Sequence, residues 1–134
     1  MRFKVILALS ALFIIACTKN DILSSKPELV WVVIEPIQCL GNPWERDWLE
    51  SHNGDRASYP KDPTMPGIEP EEFAIIQEYY GRNGVTVYTA KTAQKYNTVC
   101  TSCSCPEGHT LYLLVEAEDV QKMIDFGYRA ESPK

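Results

Sequence analysis

Val99-Cys100-Thr101-Ser102-Cys103-Ser104-Cys105-Pro106 is the stretch around which the rest of the chain must close, because it places three of the five cysteines within six residues. Thiols packed this tightly suit either a metal ion or a set of disulfides. Cys39, about sixty residues upstream, is the remaining thiol once Cys17 is set aside.

Working outward, Cys100 and Cys103 are spaced to chelate one ion from a turn, with Cys105 or His109 as a third ligand and Cys39 as a fourth. Zinc takes such a thiolate and imidazole set, and copper(I) favours thiolates still more. A structural zinc site, however, ordinarily pairs one two-residue knuckle with another, and only Cys39 waits on the far side. Disulfides use the same residues with no cofactor. A bridge from Cys39 to the cluster closes a loop of about sixty residues, worth roughly 4 kcal/mol on the chain-entropy model. Of the three possible connectivities, the one joining Cys103 to Cys105 and Cys39 to Cys100 is disfavoured by its small, strained ring. A thiol-disulfide oxidoreductase would place Cys100-Thr101-Ser102-Cys103 at a helix N-terminus, whereas Pro106-Glu107-Gly108 and a strand follow here.

The N-terminus weighs on this choice. Arg2 and Lys4 precede an apolar run from Val5 to Ala16, interrupted only by Ser10. That run is shorter than the roughly 17 to 25 residues a bilayer-spanning helix needs, and it reads as a secretion signal. The residues Ile14-Ile15-Ala16-Cys17 resemble the lipobox of bacterial lipoproteins. The resemblance covers the first seventeen residues and implies cleavage before Cys17 and acylation of its sulfur, palmitate being the expected kind of chain. Thr18, Lys19 and Asn20 put no Asp directly after the Cys, which by the sorting rule of such lipoproteins implies the outer membrane, facing the periplasm. In that oxidising compartment disulfides persist, so Cys39, Cys100, Cys103 and Cys105 are expected as bridges, with zinc or copper as the alternative and no cofactor otherwise.

The expected organisation is a signal peptide at 1–16, a lipidated tether at 17–28, one domain at 29–128 and a polar tail at 129–134. Removing residues 1–16 deletes two positive charges and takes the formal net charge from −5 to −7. So acidic a domain has no electrostatic footprint for nucleic acid, which requires clustered Lys and Arg. Its expected attachment is to the membrane through lipid, and its expected partner an envelope protein or a small ligand.

Within the domain, Leu29-Val30-Trp31-Val32-Val33-Ile34 is a β-branched run that reads as a buried strand, continuing past Pro36 to deliver Cys39 at its end. Asn42-Pro43 starts a helix in which Trp44 and Trp48 share a face as core residues. The segment from Ser51 to Gly67 holds prolines at 60, 63 and 66 and reads as a long loop, with Tyr59 and Met65 as candidate binding contacts. Pro70-Glu71-Glu72 opens a second helix, ended by Gly81, whose buried stripe is Phe73, Ile76 and Tyr80 and whose first-turn carboxylates face solvent. Strands follow at Val85–Ala90 and Thr110–Val115, separated by polar Thr92–Thr98 and the cysteines. Val120, Met123, Ile124 and Gly127 mark a last short helix.

This order predicts an α+β fold, a small antiparallel sheet with helices on one face and the cysteines on a connection. The order is similar to a ferredoxin-like module missing its last strand, unless Phe126–Ala130 supplies a short one. No catalytic constellation stands out: His52 and His109 are the only histidines, and the chain holds no Gly-x-Ser-x-Gly elbow and no phosphate-cradling glycine loop. The residues therefore point to a disulfide-stabilised binding or accessory module and not to an enzyme.

Overall fold

A computed structural model describes residues 26–61 and 67–133. The signal segment, Cys17 and Met65 lie outside these residues. Within the described residues four strands form one sheet: β1 (Leu29–Ile34), β2 (Val87–Gln94), β3 (His109–Glu116) and β4 (Arg129–Ala130), in the spatial order β2-β3-β1-β4. Every pairing is antiparallel. Among the described residues three helices accompany it: α1 (Pro43–Ser51), α2 (Pro70–Arg82) and α3 (Val120–Asp125), with 3-10 turns at Arg56–Ser58 and Ala117–Asp119. The α+β class is the one the residue pattern predicts. Among the described residues, no helix is long and apolar enough to cross a membrane.

The core forms because the pleat sends alternate residues of β3 to one side. Leu111, Leu113 and Val115 join Val32 of β1 and Val87 of β2 against Trp44 of α1, Ile76 and Tyr80 of α2 and Met123 of α3. Tyr80 stands edge-on to Phe126 and to Tyr128, and its hydroxyl donates to the Tyr128 hydroxyl at 2.9 Å. That bond pairs two phenol hydroxyls that would otherwise be buried without a partner.

Several boundaries differ from the sequence expectation. The first strand stops at Ile34. Beyond Pro36 only Ile37 makes an isolated bridge, to Pro106, and Cys39 sits in a left-handed turn with φ 63°, followed by Leu40 at φ 52°. Cys39 is thus delivered by a turn, not by a strand end. The second strand begins at Val87 and runs on through the polar Thr92 to Gln94. Pairing with β3 down to Gln94 opposite His109 carries these residues, a register shift between Val87 and Thr89 absorbing the offset. The tail begins later than expected, because Arg129 and Ala130 pair with Val33 and Val32 as the closing strand. Helix α2 passes Gly81 by one residue, to Arg82. Trp44 is core, but Trp48 is half-buried and stacks on the exposed His52 at 3.7 Å between centroids. Ile124 is exposed, Met123 being the residue that α3 buries.

Candidate functional site

The four cysteines meet as two disulfides, Cys39–Cys103 and Cys100–Cys105, with Cα separations of 5.0 and 5.8 Å. The first spans 64 residues of sequence and the second 5. Because Cys103 lies inside the ring closed by Cys100 and Cys105, the short bridge shapes the turn that the long bridge then ties to Cys39. This connectivity avoids the Cys103–Cys105 ring that spacing disfavours. Backbone bonds hold the two segments in register: Gln38 N donates to Cys105 O at 2.9 Å, and Glu107 N to Pro36 O at 2.8 Å. The Gln38 side chain adds a donation to Cys100 O at 2.8 Å, and Arg56 donates to Cys39 O.

Both bridges consume the sulfurs that a thiolate metal site would use, and among the described residues no group of three or more His, Cys, Asp or Glu side chains is placed to hold a metal. His109 opens β3 and faces Glu107, its Nε2 3.7 Å from Glu107 Oε2. Tyr59, expected as an exposed loop contact, is buried and donates its hydroxyl to Glu72 Oε1 at 3.1 Å.

That contact belongs to a second feature, unforeseen in the sequence. Lys61 Nζ lies 2.8 Å from Glu45 Oε1, 2.5 Å from Glu107 Oε1 and 3.8 Å from Glu72 Oε1. Glu45 is fully buried and Glu72 is 5 % exposed. The solvated first turn expected for α2 therefore fails at Glu72, which turns inward. Each carboxylate arrives from a different element. Glu45 is the third residue of α1, and its Oε2 accepts from Asn42 N at 2.8 Å and from Asn42 Nδ2 at 2.7 Å. Asn42 in turn accepts from Ile37 N at 3.0 Å, which links α1 to the Cys39 turn. Glu72 comes from the first turn of α2. Glu107 follows the cysteine ring by two residues.

Burial sets the electrostatics of this cluster. It raises the Glu72 and Glu107 carboxyls above their ordinary value of 4.5, against the opposing pull of Lys61. Burial would depress Lys61, but the charges of Glu45 and Glu107 outweigh it and its affinity for the proton rises. Burial, then the neighbouring Glu72 and Glu45, holds the Tyr59 phenol protonated. Burial and then the Lys61 charge lower His109 below 6.5, so its imidazole is neutral at neutral pH.

Around the cluster runs a small cleft lined by Pro36, Trp44, Ile68, Ile76 and Leu111 as well as by Lys61, Glu72, Glu107 and His109. About 20 Å³ of it is open to the centre of a water molecule, room for one or two water-sized groups. Two signals for these residues were present in the chain. Glu45 follows the cap Asn42 at the capping-box spacing, and Glu72 lies four residues before Ile76 on the buried stripe of α2. Nothing local marks Lys61 or Glu107. Comparison with protein-family models, with curated proteins and with solved structures yields no match.

Proposed function

We propose that this chain is a lipid-anchored binding or accessory module of the bacterial envelope, acylated at Cys17 and held on the periplasmic side, its domain stapled by disulfides. The observation that carries the reading is the closure of Cys39, Cys100, Cys103 and Cys105 into two bridges, a state that persists in oxidising compartments and is rare in the cytosol. The lipobox Ile14-Ile15-Ala16-Cys17 supports the anchor, and two or more acyl chains suffice for stable attachment. The net negative charge supports a partner other than nucleic acid, either an envelope protein or a small ligand.

Two measurements test the reading. Processing of the full chain should be blocked by globomycin, and Cys17→Ser should abolish both the processing and the lipid mass. Intact mass of the folded chain should show four hydrogens lost to two bridges. Four titratable thiols, or processing indifferent to Cys17→Ser, would overturn it.

A further inference from the structure

The pleat that sends Val32, Leu111 and Leu113 into the helix-covered core sends their neighbours to the opposite face of the sheet. Register places Leu29, Trp31 and Val33 of β1 there with Glu116, Leu114 and Tyr112 of β3, and Lys91 of β2 beside Tyr112. None of Leu29, Trp31, Val33, Leu114 and Tyr112 belongs to the apolar cluster that the three helices build. Val33 and Tyr112 are nevertheless buried, whereas Leu29, Trp31 and Leu114, nearer the start of β1, are half-buried. At that end Tyr88 is 42 % exposed and donates its hydroxyl to Glu116. The Lys91 ammonium stands over the Trp31 ring, 5.1 Å from its centroid.

Aliphatic, indole, phenol and ammonium groups on one sheet face match the boundary of a bilayer, where Trp and Tyr sit at headgroup depth and Lys reaches toward phosphate. The charge fits as well. On an acidic domain this patch carries one cation, Lys91, and one carboxylate, Glu116, already engaged by Tyr88. The chain enters it through Lys26 and Glu28, whose charges cancel. The chain's own connection selects the occupant: residues 18–28 join Cys17 to Leu29, at the patch itself, and fully extended they reach about 40 Å at most. An acyl chain on Cys17 therefore holds the patch at high effective concentration beside the bilayer, so contacts too weak to bind alone suffice.

We propose that Leu29, Trp31, Tyr88, Lys91 and Leu114 form a seat for the bilayer surface, which lays the helix-free face of the sheet on the membrane and turns the helices away from it. This names a surface that the binding-module reading leaves open, and it rests on the acylation of Cys17.

The test uses the processed, acylated chain in vesicles of phosphatidylethanolamine and phosphatidylglycerol, with a trace of lipid spin-labelled at the headgroup and tryptophan fluorescence as the readout. The nitroxide should quench part of the emission. Trp31→Phe should remove most of that quenching, because Trp44 is buried in the core and Trp48 lies on α1. Lys91→Glu, a change at an exposed side chain, should lower it about twofold or more. A chain that floats with the vesicles yet is not quenched, or is quenched equally in Trp31→Phe or Lys91→Glu, overturns the seat alone. A crosslinked dimer that is lost in Trp31→Glu puts a second copy on the face and likewise overturns it. A chain that does not float at all overturns the anchor, and the seat with it.

Discussion

Lys61 and Glu107 stand 2.5 Å apart, Nζ to Oε1, with side chains only 23 % and 13 % exposed. The pair ties the irregular segment after α1 to the residue two places beyond the cysteine ring, so the disulfide clasp and the carboxylate cleft share one piece of chain. Removing one partner of such a pair leaves a charge both desolvated and uncompensated, which costs more than the pair itself contributes.

Lys61→Met should therefore destabilise the domain by about 3 kcal/mol near neutral pH, since it abandons three carboxylates at once. The loss should shrink in mild acid, where Glu72 and Glu107, already raised by burial, take up protons. Urea denaturation at about pH 7.5 and about pH 5 checks this. An equal loss at both would show that Lys61 does not compensate the cluster.

A carboxyl whose folded value is raised binds its proton more tightly folded than unfolded. The penalty from Glu72 and Glu107 is thus absent below 4.5 and grows as pH rises through their folded values. His109, held below 6.5, works the opposite way, its cost vanishing as pH rises. Glu35 and Asp55, lowered first by hydrogen bonds from Lys95 and Ser58, act below 4.5. The informative quantity is the difference between the chain and Glu107→Gln: above 4.5 the variant should lose stability less steeply with rising pH. Parallel curves would contradict the shift at Glu107.

The two bridges should be unequal. Chain entropy assigns roughly 4 kcal/mol to the 64-residue closure and roughly 2 kcal/mol to the 5-residue one. Cys39→Ser with Cys103→Ser should accordingly lower the melting temperature more than Cys100→Ser with Cys105→Ser. The reverse ranking would mean that the short ring contributes native contacts beyond loop closure.

Tyr80→Phe strands the Tyr128 hydroxyl, its bonding partner at 2.9 Å, in a core where Tyr128 is 3 % exposed. The single change should cost about 1–2 kcal/mol, and adding Tyr128→Phe should recover part of it, because removing both partners leaves no orphan. A double-mutant cycle by chemical denaturation reads the coupling. Strict additivity would deny the bond any role.

Much of the framework was legible locally. The β-branched run Leu29–Ile34, the cap Asn42 with Pro43, and the stripe Ile76 and Tyr80 each carry their own periodicity or terminus signal, and each element stands where those residues indicate. The polar half of β2 was illegible because Thr92–Gln94 owe their conformation to hydrogen bonding with His109–Leu111 and not to their own propensity. Pro36 signalled a break, but the left-handed turn at Cys39 and Leu40 carries no mark in those residues; it accompanies the bridge to Cys103 and the donation from Arg56 to Cys39 O.

Alternation, capping and thiol spacing are local quantities, and they suffice to read off the class of elements and the shortlist of cysteine chemistries. The pairing of Cys39 with Cys103 and the inward turn of Glu45, Glu72 and Glu107 onto Lys61 emerge from the folded chain alone. A carboxylate reads as solvent-facing until the opposite charge that compensates its burial is known. Here that charge comes from a segment 16 residues from Glu45 and 46 from Glu107, distances over which neither periodicity nor propensity carries information.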